Sequence, residues 1–144
     1  MPKKSILLVE DNPDDETLII RSLRRYGVLN EINVARDGVE ALAYLLGTES
    51  NEENGTRPLP IVVVLDLKLP KLDGLEVLRR LRAEPRTRLL PIVILTSSTQ
   101  ETDIIKSYEL GANSYVAKPV EFEQFAEAVR QLGLYWLLLN RPPH

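Results

Sequence analysis

Five residues of this chain combine reactive side chains with strand-end positions: Glu10, Asp11, Asp66, Thr96 and Lys118. Asp66 directly follows Ile61-Val62-Val63-Val64-Leu65, an apolar and largely β-branched run between Pro60 and Pro70 that reads as a buried central strand. Taken alone, an aspartate at such a place is more often an acid turning toward water than a reactive group. Glu10 and Asp11 close a second apolar run (Ser5 to Val9), Thr96 a third (Pro91 to Leu95) and Lys118 a fourth (Ser114 to Ala117). Side by side in a parallel sheet, these runs bring three carboxylates, a hydroxyl and an ammonium to one rim, the rim where open α/β sheets bind their ligands. Carboxylates about 5 Å apart repel by roughly 3 kcal/mol per pair at an effective dielectric near 20, so such a cluster needs a cation. Lys118 supplies a single charge. A divalent ion with hard oxygen ligands and open positions for water and a phosphoryl oxygen, Mg²⁺ rather than Ca²⁺, suits the remainder. Asp66 is then a nucleophile toward an activated phosphoryl group, giving an aspartyl phosphate, with Lys118 and Thr96 placed to steady the oxygens in transfer.

Composition removes competing chemistries. There is no cysteine, and the one histidine, His144, is the last residue, which leaves no thiolate site and no imidazole held in a cleft for a triad or zinc centre. The formal charge of -3 gives no electrostatic reason to expect nucleic acid or an anionic membrane as partner. Met1-Pro2-Lys3-Lys4 runs straight into a strand-like segment without a signal-peptide core, and the longest apolar stretch, Leu134 to Leu139, is far short of the about 18 residues a membrane span needs. A cytoplasmic protein is expected. The 144 residues suit one domain that folds without disulfide or metal.

Strand one, Ser5 to Val9, precedes Asn12 as N-cap and Pro13 at the first helical position, with Asp14, Asp15 and Glu16 at the positive end of the helix dipole. That helix reaches about Tyr26, turns Ile19, Leu23 and Tyr26 inward and stops at Gly27. Glu31 to Ala35 is a weaker strand suited to a sheet edge. Asp37-Gly38 opens a second helix in which Val39, Leu42, Ala43 and Leu46 recur at helical spacing. Gly47 to Pro58 is polar and aperiodic and reads as a long, mobile surface loop. After Asp66, Gly74 begins a third helix with Leu75, Val77, Leu78 and Leu81 inward, and Pro85 ends it. The fourth strand leads to a helix carrying Ile104, Ile105 and Tyr108, stopped by Gly111, and after the fifth strand a last helix starts near Glu121. Five strand-helix repeats predict an α/β fold, a doubly wound (βα)5 five-stranded parallel sheet of flavodoxin-like order 2-1-3-4-5.

On these residues the chain resembles the receiver domain of bacterial two-component response regulators, the CheY-like fold, from Ile6 to about Leu138. The motifs are Val9-Glu10-Asp11, Asp66 with Pro70 and Gly74 following, Leu95-Thr96-Ser97, and Tyr115 ahead of Lys118-Pro119. The resemblance implies that Asp66 accepts a phosphoryl group from a sensor histidine kinase and that Glu10, Asp11 and Asp66 bind Mg²⁺ with the backbone carbonyl of Lys68. It implies a cis Lys118-Pro119 bond, and a switch pair in Thr96 and Tyr115, although a half-exposed strand tyrosine at a sheet edge would look the same in sequence. Such a protein is a switch that catalyses its own phosphorylation and dephosphorylation rather than an enzyme acting on a separate substrate. Glu10 stands where many members carry aspartate. Lys68 and Ser98 occupy variable positions thought to tune phosphoryl loss.

Past Pro119 the sequence holds one helix and no output domain, so residues 1–144 read as a single receiver domain. On a helical wheel Phe122, Phe125, Val129, Leu132, Trp136 and Leu139 share one face, while Leu134, Leu137 and Leu138 make the opposite face apolar as well. Residues 134–144 are therefore expected to form an apolar extension of the last helix, and that helix with its tail to support a homodimer. This tail, the long loop and the run Asp66 to Lys71 are similar to the small regulators that partner phytochrome-type histidine kinases. Two rivals fit less well: a haloacid dehalogenase-type phosphatase wants its nucleophile on the first strand, with an aspartate where this chain has Lys68, and a flavin-binding protein wants hydroxyls and glycines where strand one ends in acids. An unphosphorylated receiver-like interaction module is the alternative within the fold.

Overall fold

The computed structural model describes residues 5–25, 27–47, 58–96 and 101–117. Tyr26, most of the polar loop, Ser98, Lys118 and its bond to Pro119, the last helix and the 134–144 extension lie outside the described residues.

Five strands, β1 (Ser5–Val9), β2 (Glu31–Ala35), β3 (Val62–Leu65), β4 (Ile92–Thr96) and β5 (Ser114–Ala117), form one parallel sheet in the order β2-β1-β3-β4-β5. They alternate with α1 (Pro13–Arg25), α2 (Gly38–Leu46), α3 (Gly74–Ala83) and α4 (Glu101–Glu109). The apolar runs of β1, β3 and β4 are uninterrupted because both faces of the sheet are covered. Leu7, Val9, Val63, Leu65, Ile92 and Ile94 pack with the inner sides of α2 and α3, and Ile6, Leu8, Val62, Val64, Val93 and Leu95 pack with Ile19 and Leu23 of α1. At the edge, β2 is only partly buried up to Ala35.

Local signals set the helix ends. The Asn12 side chain accepts from the Asp14 and Asp15 amides at 2.9 and 3.1 Å, and the Asp37 and Asp73 side chains cap α2 and α3 through the amides of Glu40 and Glu76. Gly27, at φ 93°, ends α1 by a bond from its own amide to Arg24 O and one from Val28 N to Leu23 O. Glu84, just before Pro85, is extended and closes α3, as the residue preceding a proline must be.

Two helices bury a different stripe from the one their apolar spacing predicts. In α2 the buried positions are Ala41, Leu42, Ala43 and Leu45, whereas Val39 is 51% exposed and Leu46 only partly covered. In α4, Ile105 and Tyr108 stand about half exposed and the small Ser107 is buried, its hydroxyl donating to Asp103 O at 2.8 Å. On α3, Leu75 is only partly buried, and Val77, Leu78 and Leu81 carry the contact.

Gly74 packs against the loop that follows Asp66. A Cβ there would lie 2.3 Å from Asp66 O and 2.6 Å from Leu67 Cα, both backbone atoms, while the Gly74 amide donates to Leu67 O at 2.8 Å. Gly74→Ala is expected to cost about 1–3 kcal/mol in urea unfolding, because backbone rather than a flexible side chain must give way. In the first turn of α3, hydrogen bonds from Arg79 and then Arg80 hold the Glu76 carboxyl down at about 2, from an ordinary value of 4.5. A depressed folded-state value means stability that is present above the unfolded value and is lost as pH falls toward 2. The thermal midpoint of Glu76→Gln should therefore lie slightly below wild type at pH 6 and converge with it near pH 2, the difference at pH 6 being small because the pairs are exposed.

Candidate functional site

The paired ends of β1 and β3 build the site. Their register sets Val9 beside Leu65, and the Asp66 amide donates to Val9 O at 3.1 Å, so the next residues on each strand, Glu10 and Asp66, come level. Side chains of a strand alternate between faces, and Glu10 continues the row Ile6-Leu8 as Asp66 continues Val62-Val64, both rows on the α1 side. Carboxylate oxygens of Glu10, Asp11 and Asp66 all lie within 4.8 Å of one another. Glu10 is 1% and Asp66 6% exposed, and Asp11 is open to solvent.

Local hydrogen bonds orient these acids. Glu10 Oε2 accepts from the Asn12 amide at 3.2 Å within the turn that starts α1, and the Glu10 amide donates to Ala35 O at 2.9 Å, which ties it to the end of β2. Asp66 Oδ1 accepts from the Lys68 amide at 3.0 Å. Beyond it the loop turns sharply, with Leu69 N bonded to Leu67 O and Leu72 N to Pro70 O, and Lys71 holds a left-handed φ of 68°. The Lys68 side chain is exposed.

Thr96 ends β4 and is completely buried. By alternation it shares a face with Ile92 and Ile94. Tyr115 pairs in register with Ile94, and Thr96 with Ala117, so Thr96 and Tyr115 occupy one face of adjacent strands, Tyr115 half-buried against the cluster that contains Ile94. Lys118, the next residue on β5, is outside the described residues. Glu10, Asp66 and Thr96 follow or end β1, β3 and β4 at the same end of the sheet, and by alternation Thr96 and Tyr115 lie on the face opposite to Glu10 and Asp66, with Tyr115 one residue into β5. Asp37 and Gly38 at the start of α2 brace the loop that follows Asp66, Asp37 through that loop's Lys71, and none of the three is visible as a site residue in sequence; the pair Asp37-Gly38 signals only a helix start, and a left-handed lysine has no sequence signature.

A cluster of three acidic oxygens at this spacing, two of them on buried residues, could coordinate a divalent cation. Without one, the charges repel across a partly desolvated gap. Asp66→Asn, which can still accept from the Lys68 amide, should raise the metal-free stability by about 1 kcal/mol while abolishing any thermal stabilisation by millimolar divalent ion.

Comparison with known proteins agrees with this geometry. Residues 6–130 match the family described as response regulator receiver domain. The chain is 44% identical over 138 residues to the probable methanogenesis regulatory protein FilR2 of Methanothrix harundinacea, covering 96% of this chain and 86% of that one. It superposes on the structure of the bacteriophytochrome response regulator AtBRR with a TM-score of 0.78 at 50% identity, over 98% of this chain and 100% of the other. The Mn²⁺-bound form of response regulator Rcp1 superposes with a TM-score of 0.77 at 37% identity, over 98% and 99% of the two chains; Rcp1 of Synechocystis sp. is 38% identical over 136 residues, 94% of this chain and 90% of its own length. A parallel sheet in the order 2-1-3-4-5 with Glu10, Asp11 and Asp66 gathered at the ends of its first and third strands, matched over most of its length, belongs to the response regulator receiver domain family.

Proposed function

We propose that Asp66 is the phosphoacceptor of this receiver domain. The observation that carries the reading is the gathering of the Glu10, Asp11 and Asp66 carboxylates within 4.8 Å in a chain of this family. Asp66 is the one of the three that follows the central strand, and one of its oxygens is already oriented by the Lys68 amide. In the transfer an Asp66 oxygen forms the new bond to phosphorus as the bond from phosphorus to a donor histidine nitrogen breaks, and the proton balance closes on the departing imidazole. Glu10, Asp11, Asp66 and the Lys68 carbonyl would hold Mg²⁺, which when bound neutralises charge on the pocket and the transferring group. Lys118 is assigned the remaining charge contact, and Thr96 donates its hydroxyl to a phosphoryl oxygen.

Thr96 is buried and shares a face with half-buried Tyr115, so movement of the hydroxyl toward a new phosphoryl group leaves space that the ring can fill. That is the switch assigned to the pair. The donor is a sensor histidine kinase of the phytochrome type, a reading supported by likeness to the bacteriophytochrome response regulator AtBRR, and residues 1–144 act as one cytoplasmic receiver domain. The last helix and its apolar 134–144 extension are assigned to homodimerisation.

Incubation with acetyl phosphate and Mg²⁺ should add one phosphoryl group to the intact protein and none to Asp66→Ala; equal addition to both would overturn the assignment. Lys68→Ala should shorten the lifetime of the modified protein if the lysine shields the acyl phosphate from water. In analytical ultracentrifugation at micromolar concentration the chain should sediment as a dimer, and a monomer there would end the proposed role of the extension.

A further inference from the structure

The turn between β2 and α2 contributes no side chain to the acid cluster, yet it touches both of the loops that carry it. On one side Ala35 O accepts the Glu10 amide at 2.9 Å, and the next residue, Arg36, grips the Glu16 carboxylate in the first turn of α1 with both terminal nitrogens. On the other side Asp37 Oδ2 pairs with Lys71 Nζ at 3.4 Å in the loop that follows Asp66. Gly38 backs onto the same loop so closely that a Cβ would lie 2.1 Å from Leu72 O. Among the described residues Lys71 is the non-glycine residue held at positive φ, the kind of strain that surrounding contacts must maintain. The Asp37 carboxyl is held below its ordinary value by the Glu40 amide first and by Lys71 in addition, so it is a stable anion at neutral pH.

The acid-bearing loops need such a brace. The turn after β1 leads into α1 and the turn after β3 into α3, and these helices pack on opposite faces of the sheet. The β1–β3 register holds the strand ends level, but beyond it the two turns lead into different layers while the carboxylates they carry repel one another. Arg36 reaches toward the α1 side and Asp37 toward the α3 side, from adjacent positions on one turn.

We propose that the Arg36-Asp37-Gly38 turn is a clamp that sets the distance of Glu10 and Asp11 from Asp66, making Arg36 and Asp37 positioning residues for divalent-ion binding and for phosphoryl acceptance. The clamp rests on the reading of the acid cluster as a metal-assisted phosphoacceptor site. Both ion pairs have one largely exposed partner, with the Arg36 side chain 55% and the Lys71 side chain 68% accessible, so as stabilising contacts they should matter little. That separates positioning from a merely structural role.

The test is calorimetric titration of the full chain with Mn²⁺, alongside thermal unfolding and the rate of phosphorylation by acetyl phosphate. Arg36→Gln removes the grip on Glu16. Asp37→Asn removes the charge facing Lys71 but keeps a side chain that caps α2 as well as aspartate does. Each substitution should weaken Mn²⁺ binding by about threefold and the pair by about tenfold, the low end of what outer partners of metal ligands contribute. Phosphorylation at subsaturating ion should slow in parallel, thermal midpoints should stay within about 4 °C of wild type, and Arg36→Lys, which keeps the charge toward Glu16, should retain most of the affinity. Unchanged Mn²⁺ affinity in the double variant would overturn the clamp and leave the pocket reading standing, as would a loss of affinity that merely tracks a large fall in thermal midpoint. A wild-type chain that binds no Mn²⁺ would overturn the pocket reading and the clamp together.

Discussion

The parallel pairing of β1 with β3 is the contact on which the site depends. Val9 beside Leu65 and the bond from the Asp66 amide to Val9 O leave no freedom in where the next residues emerge. A shift of the register by one residue would turn the Asp66 side chain to the opposite face from Glu10 and dissolve the cluster. The register in turn is held by the apolar rows on both faces, because moving either strand would carry a full set of valines and leucines out of its layer. Hydrophobic packing thus holds like charges at a separation that electrostatics alone opposes.

That opposition explains how the surrounding turns are built. The two buried acids each accept a hydrogen bond from an amide two residues on, Glu10 from Asn12 and Asp66 from Lys68, so part of their charge is answered locally without using side chains. The loop after β3 is compact, closed by Gly74 against its own start and by Gly38 against Leu72. A cluster of this kind is stable only inside a scaffold whose favourable terms lie elsewhere, a common arrangement where a site must bind a cation and then an anionic group.

Away from the cluster, the described residues show how α3 and the end of the sheet are fastened. Arg82 donates to Gly111 O and to the carbonyls of Thr87 and Arg88, joining the end of α3 to the turn before β5, and burial lowers the value of its guanidinium. Thr87 donates to Leu81 O at 2.6 Å from a fully buried position. These contacts tie the end of α3 to the turns before β4 and β5. Among the described residues no helix is long and apolar enough to cross a membrane.

Much of this protein is legible in its sequence because the signals are local. Asn12, Asp37 and Asp73 are capping residues by their chemistry, Gly27 and Pro85 stop helices by their backbone geometry, and five apolar runs at regular intervals admit few topologies. The reactive residue types, and their position at strand ends, follow from the chain order alone. The inward faces of α2 and α4 were less legible, since Val39, Ile105 and Tyr108 are apolar at helical spacing yet about half exposed, while small residues such as Ala41 and Ser107 take the buried positions. Sequence by itself determined the elements, their order and the identity of the acids, because each depends on a few neighbouring residues. Only the tertiary structure decided that Glu10, Asp11 and Asp66 share one cluster within 4.8 Å, and that Asp37 and Lys71 meet from different elements, because those separations depend on register and on the close approach of distant backbone segments.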